Sequence, residues 1–468
     1  IFDYASSVLT DYQNYVRSFF NLADERIRQL VEQELFAKER LWPEALIQLN
    51  PAYALGASVG DLCNQGKLHP ACADIFCDDR GRPFTLYYHQ EAAIECALRR
   101  EPYVVTSGTG SGKTLTYFIP IFDAVLKSNP AEARVRAIIV YPMNALVNSQ
   151  YNALEELKER YHRRTGQALP VRFAKYTGQE GETERNAILE SPPHILLTNY
   201  MMLELILVRP RERRFVDRAV AGIEFLVFDE LHTYRGRQGA DVALLIRRLR
   251  QRCGNPNLIC IGTSATMVSD EQMGTGERRR AVADFASKIF GTAVRPENVI
   301  EERFRPLSPL ADVDPQALRA ALQNPLPDTA EELRKHPLTW WIERHLGFRT
   351  AADGTSERCP PLTLSEAAKR LARETGLEET QCREALRAAL LLGTRLREGD
   401  NPLFALKLHQ FIAQGQAVYA TMEPPSVRYL TLEGQYYAPE AEQQRVLFPL
   451  EFCRQCGQAY YDVWYAQE

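Results

Sequence analysis

Eight consecutive residues, Ser107-Gly108-Thr109-Gly110-Ser111-Gly112-Lys113-Thr114, bring together what a bound triphosphate requires. Glycines let the backbone close around phosphate oxygens with its N–H groups pointing inward, a lysine neutralises the outer phosphates, and a hydroxyl completes the shell of a magnesium ion. The general pattern begins with glycine, and Ser107 is a small residue in that place. A second group follows in Phe225-Leu226-Val227-Phe228-Asp229-Glu230-Leu231-His232. Asp229 suits magnesium, together with Thr114, and Glu230 suits the water that attacks the γ-phosphate, which it would orient and deprotonate. An acidic pair alone says little, but downstream of a phosphate loop it points to triphosphate hydrolysis.

These groups need elements that converge. Tyr103-Val104-Val105 before the loop and Leu115-Thr116-Tyr117-Phe118-Ile119 after it predict a buried strand turning into a helix. From about 84 to 270, short apolar runs alternate with amphipathic helices, and the predicted strands are 103–106, 137–141, 171–176, 194–198, 225–228 and 258–262. Strands separated by helices imply right-handed crossovers and an α/β fold with a parallel sheet covered on both faces. Ligands of such sheets gather at the carboxyl ends of the strands, where both motifs fall.

The whole chain bounds the reading. Its 468 residues suggest roughly three domains at about 150 residues each. A formal charge of -4, from 56 basic and 60 acidic residues, argues against coating nucleic acid by bulk charge and leaves room for a localised basic groove. No secretory leader pattern and no apolar run of about eighteen residues is present, so a cytoplasmic protein without a membrane partner is expected. Ten cysteines without a small-domain framework are expected to be reduced thiols. Cys63, Cys72 and Cys77 with His69 fit no common zinc spacing and are expected to be structural.

With its motifs in order, the chain resembles a superfamily 2 helicase. Asp229-Glu230-Leu231-His232 stands in the place of the DEAD/DEAH box, and Ser264-Ala265-Thr266 resembles the motif that couples hydrolysis to movement. The resemblance implies a RecA-like lobe, ATP with magnesium, Gln90 as the adenine-reading glutamine, and His232 as a relay of nucleotide state to Ser264 and Thr266. Tyr141-Pro142-Met143-Asn144, Thr177-Gly178 and Leu197-Thr198-Asn199 match the segments that contact nucleic acid in that family. A narrower similarity, carried by Asp229-Glu230-Leu231-His232-Thr233-Tyr234-Arg235-Gly236 and Gln238-Gly239-Ala240-Asp241, is to MrfA-type DNA helicases and to the large helicases of the anti-phage systems DISARM and Druantia. It implies action on DNA, single-stranded or duplex with an overhang, typically with 3′-to-5′ polarity. Other subunits of a defence complex are implied partners, and Arg235 is a candidate for nucleic-acid contact. An RNA helicase, or a nucleotide-gated DNA-binding scaffold that does not unwind, would share the ATP motifs.

The expected organisation is a helical region over 1–83, the RecA-like lobe over 84–295, a helical module over 296–406 and a β-rich module over 407–468. The helical module includes Leu364–Ala372 and Gln381–Leu392, expected to pack plainly rather than to form a DNA-reading helix-turn-helix. No segment of the Gln-x-x-Gly-Arg type, which a second RecA lobe would bring, is found, so the chain reads as the N-terminal part of a longer protein. Cys453 and Cys456 have zinc-knuckle spacing, yet two thiolates do not close a tetrahedral site. Either later residues, beyond Glu468, are expected to complete it, or the knuckle is a relic.

Overall fold

The computed structural model describes residues 1–18, 21–36, 42–108, 110–209, 222–265, 274–307, 313–350, 356–399, 401–413, 417–439 and 444–463. Contacts divide the chain into two compact units, one built mainly from Ala52–Arg305 and the other from Ile1–Pro51, Pro306–Thr350 and Glu357–Glu468.

The first unit is organised by a seven-stranded sheet, with β1 (Tyr103–Thr106), β2 (Ala137–Tyr141), β3 (Phe173–Tyr176), β4 (Ile195–Asn199), β5 (Phe225–Phe228), β6 (Ile259–Ser264) and β7 (Val299–Glu301). Spatial order is β7-β1-β6-β5-β2-β4-β3, and every pairing is parallel. The central strands are apolar on both faces because each face has its own helical layer. Val105, Ile139, Leu197, Val227 and Ile261 share one core with the helices α1 (Tyr88–Leu98), α2 (Leu115–Lys127) and α3 (Asn144–Thr165). Their neighbours Val104, Ile138, Leu196, Leu226 and Cys260 share the other with α4 (Tyr200–Val208), α5 (Gly236–Cys253) and α6 (Thr275–Phe290). Six strands fall where the apolar runs predict them, with ends displaced by one or two residues. The seventh, β7, lies beyond the expected limit at 295, since three residues on a sheet edge carry too little pattern to announce themselves.

The expected helical region over 1–83 is only partly helical. Phe2–Ser18 and Glu25–Val31 are helices, but Leu46–Asn50 is a strand paired antiparallel with both Ala405–His409 and Leu362–Thr363. Ile47 and Leu49 face inward from it, so the strand is committed to the second unit, while Leu55–Ser58 pairs with Thr85–Tyr87 in the first. Contacts therefore divide the chain near 51 rather than 83. In the second unit Leu364–Thr375 and Glu379–Arg395 pack around Leu371, Leu386 and Trp341. A four-stranded antiparallel sheet, in the order Leu430–Thr431, Val418–Ala420, Phe448–Phe452, Ala459–Tyr461, shares a small core with Ile27, Leu35 and Trp42. Among the described residues no helix is long and apolar enough to cross a membrane.

Candidate nucleotide and nucleic-acid site

The phosphate loop leaves β1 and enters α2 at the carboxyl edge of the sheet, as its flanks predict. Gly110 and Gly112 adopt positive φ, +79° and +69°. A Cβ at Gly112 would lie 2.5 Å from Gln90 Nε2, so this cradle admits only glycine. Ser107 and Ser111 are buried and share a hydrogen bond of 2.6 Å between their hydroxyls. Lys113 Nζ donates to Ser107 O at 3.2 Å and lies 3.7 Å from Glu230 Oε1. The ammonium thus stands between the loop and the acidic box, ready to meet phosphate oxygens. Thr109 lies outside the described residues.

The helix before β1 braces the loop from behind. Gln90 Oε1 accepts from Tyr87 N at 2.9 Å, and its Nε2 donates to Gly112 O at 2.9 Å. Gln90 therefore ties the start of α1 to the loop. His89, which sequence reasoning passed over, is fully buried, with Nε2 2.9 Å from Ser111 O. Burial pushes its pKa down, so the neutral ring donates to that carbonyl. Its position beside Gln90 was the available signal.

The acidic box sits at the end of β5. Asp229 N donates to Val140 O at 2.9 Å, and Thr263 Oγ1 donates to Asp229 Oδ1 and accepts from Glu230 N at 3.3 Å. Burial holds the Asp229 carboxyl above the usual carboxylate range, with Glu230 adding to the shift and Thr263 and Lys113 opposing it. Glu230 has φ +52°, a left-handed conformation costing an ordinary residue about 1–2 kcal/mol. Such strain is found where surrounding bonds over-determine a functional geometry. His232 Nδ1 lies 2.9 Å from Ser264 Oγ and 3.3 Å from Glu230 Oε2. Thr266 lies outside the described residues. At the start of α5, a Cβ on Gly239 would lie 2.5 Å from Tyr234 O, so the helix can approach the box only with glycine there. Arg235 is exposed at that helix start.

The residues expected to meet nucleic acid lie at the ends of β2, β3 and β4. Asn199 Nδ2 donates to Asn144 Oδ1 at 2.6 Å, while Asn199 Oδ1 accepts from Met202 N at 2.7 Å and caps α4. Thr198 and Thr177 direct their hydroxyls into the protein. Thr198 Oγ1 is buried and donates to Tyr176 O at 2.6 Å. Thr177 Oγ1 donates to Glu180 Oε1 at 2.6 Å, and the N–H groups of Thr177 and Gly178 donate to Glu180 Oε2 at 2.8 and 2.9 Å. These donors are turned inward, where they shape the loop. Glu180 was not singled out from sequence, since one glutamate in Gln179-Glu180-Gly181-Glu182 looks like solvated charge. Burial alone would raise its pKa, but the hydrogen bonds from Thr177 Oγ1 and from the loop N–H groups outweigh it and hold the carboxyl below the usual range.

Arg211, Arg213, Arg214 and Arg218 lie outside the described residues. Arg247 donates to Ala243 O and Lys288 O, and Arg248 lies 3.8 Å from Glu204, which are structural roles. No group of three or more metal-ligating side chains occurs among the described residues. Cys453 and Cys456 form a turn held by Gly457 N donating to Cys453 O at 2.8 Å. Gly457 has φ +75°, and a Cβ there would lie 2.6 Å from Asn21 O, so glycine lets the turn settle on the chain at 21–23.

Phosphate loop, acidic box and Ser-Ala segment meet at the ends of β1, β5 and β6, the arrangement of a RecA-like nucleotide-binding lobe. Residues 87–273 match the DEAD/DEAH box helicase family. The chain is similar to Druantia protein DruE of Escherichia coli (strain UMEA 4076-1), at 26% identity over 420 residues, 64% of this chain and 22% of the relative. It is also similar to the uncharacterized ATP-dependent helicase YprA of Bacillus subtilis (strain 168), at 32% identity over 206 residues, 42% of this chain and 26% of the relative. Among solved structures, it is similar to the DUF1998 helicase MrfA bound to DNA and AMPPNP, with 18% identity, 73% of this chain and 43% of that chain covered, and a TM-score of 0.45. The chain thus spans about a quarter of the length of these curated relatives.

Proposed function

We propose that this chain carries the ATP-binding lobe of a DNA helicase or translocase that couples ATP hydrolysis to movement along DNA. The observation that carries the reading is the approach of Lys113 Nζ to within 3.7 Å of Glu230 Oε1, which sets the phosphate loop and the acidic box around one small space. Lys113 and inward-facing N–H groups of the loop bind the phosphates, and Gln90 braces the loop on the adenine side. Magnesium, when held by Thr114 and Asp229, supplies positive charge against the phosphates. Asp229 is fixed for that task by Thr263, and Glu230, turned by its left-handed backbone, takes the proton of the attacking water. His232, Ser264 and Thr266 register the state of the nucleotide.

Asn144 and Asn199 present the polar edge that meets the nucleic-acid backbone, with Gly178 beside it, Thr177 and Thr198 set the shape of that edge, and Arg235 at the start of α5 is a further contact. DNA as the partner is supported by the segment 229–241, which resembles that of MrfA-type DNA helicases. Work in anti-phage defence or DNA repair, with further subunits of a defence complex, is supported by the similarity to Druantia protein DruE. A zinc role for Cys453 and Cys456 rests on their spacing alone, and elemental analysis of the purified protein tests it.

The experiment is ATP turnover with and without single-stranded DNA or RNA, for the parent and for Lys113→Ala. Stimulation by DNA, lost in Lys113→Ala, is expected. Stimulation by RNA and not DNA would reassign the partner, and identical rates with and without any nucleic acid would remove the motor reading.

A further inference from the structure

One carboxylate touches the phosphate loop without a part in the hydrolysis just described. Glu302 follows the last residue of β7, and its Oε2 accepts from Gly108 N at 3.0 Å. The segment bearing it is anchored at both ends. Arg279 Nε lies 2.6 Å from Glu301 Oε2, Ala54 N donates to Arg303 O at 2.8 Å, and Arg305 N donates to Ala52 O at 2.7 Å. The Arg303 guanidinium lies 3.8 Å over the Tyr88 ring, one residue before His89 and two before Gln90, which hold the loop carbonyls of Ser111 and Gly112. Residues 87–90 and 302–303 therefore grip the loop from two sides, one through carbonyls and the other through an N–H.

The two grips differ in consequence. A bond to a loop carbonyl leaves the inward N–H groups for phosphate, whereas a carboxylate on a loop N–H is an anion at the margin of a site that must accept several negative charges. It satisfies Gly108 N and opposes the negative charge of phosphates.

We propose that Glu302 is an anionic latch on the phosphate loop, bound to Gly108 N and opposed to the phosphates, so that it sets nucleotide affinity according to phosphate charge. The proposal rests on the reading of 107–114 as a nucleotide-binding loop.

The test is the dissociation constant of the 468-residue chain for ATP with magnesium, ADP with magnesium, and AMP, in the parent, Glu302→Gln, Glu302→Ala and Lys113→Ala. Glu302→Gln keeps an acceptor for Gly108 N and removes the charge. A like charge at such range is expected to matter by about tenfold for ATP, as one or more pK units would imply, with a smaller gain for ADP and the least for AMP. The gain should shrink as salt is raised, since the effect is coulombic. Glu302→Ala should show the same ranking. Unchanged affinity, an equal gain for all three nucleotides, or weaker binding in Glu302→Gln would overturn the latch and leave Glu302 a brace. ATP binding by Lys113→Ala equal to the parent's would instead overturn the nucleotide reading itself, so the two failures are distinct.

Discussion

His232 Nδ1 lies 2.9 Å from Ser264 Oγ and 3.3 Å from Glu230 Oε2, so one ring nitrogen faces two oxygens from two different strand ends. A proton on that nitrogen serves one of them well at a time. Whatever alters Glu230, such as a bound phosphate or its loss, is therefore felt at Ser264 and the chain that follows β6. His232→Ala and Ser264→Ala should each lower DNA-stimulated turnover. Because they break one link, the double variant should be no slower than the slower single one, which a double-mutant cycle on ATPase rates reads directly. Losses that simply multiply would show two independent contributions.

Asn199 does two jobs that substitution separates. Its Oδ1 caps α4 through Met202 N, and its amide meets Asn144 on the edge proposed to face nucleic acid. Asn199→Ala should lose about 1 kcal/mol of stability with the cap and also weaken binding to single-stranded DNA. Asn199→Asp keeps a capping oxygen and adds a negative charge, so its melting temperature should stay near the parent's while DNA affinity falls. Parental DNA affinity in Asn199→Asp would remove this edge from the binding surface.

Glu180 gives a pH signature. Its carboxyl is depressed in the folded protein, so the stability it contributes is present above the unfolded pKa, about 4.3, and is lost as pH falls through the lower folded value. Glu180→Gln should be less stable than the parent by about 1–3 kcal/mol at neutral pH, because one amide oxygen cannot satisfy the loop donors that two carboxylate oxygens do. Denaturant titrations of both proteins should converge as pH drops below about 4. A difference that persists unchanged into acid would assign the loss to shape rather than charge.

What the sequence made legible followed from local pattern. The strand before Ser107, the strand before Asp229 and the glycines between them were readable because buried parallel strands are continuous apolar runs and a phosphate loop has few alternatives. Contacts between distant segments were not readable. The pairing of Leu46–Asn50 with Ala405–His409, which moves the N-terminal residues into the second unit, leaves no trace in either segment alone. Residue roles were blurred in the same way. Thr177 and Thr198 have the expected types at the expected places, yet their hydroxyls turn inward because Glu180 and the Tyr176 carbonyl supply partners that no spacing rule foretells. Glu302 was hidden for a related reason, since only the parallel register of β7 against β1 brings it to the start of the phosphate loop, within reach of Gly108 N.

The central claim is that Lys113 and Glu230 act on the same triphosphate, and Glu230→Gln tests it most directly. The amide keeps the size of the side chain and cannot take a proton from water. Measured against the parent with ATP and magnesium in the presence of single-stranded DNA, the variant should bind ATP at least as tightly and turn it over about 10²–10⁴-fold more slowly, the range that a positioned general base supplies. Turnover at the parent's rate, with ATP binding intact, would contradict the account.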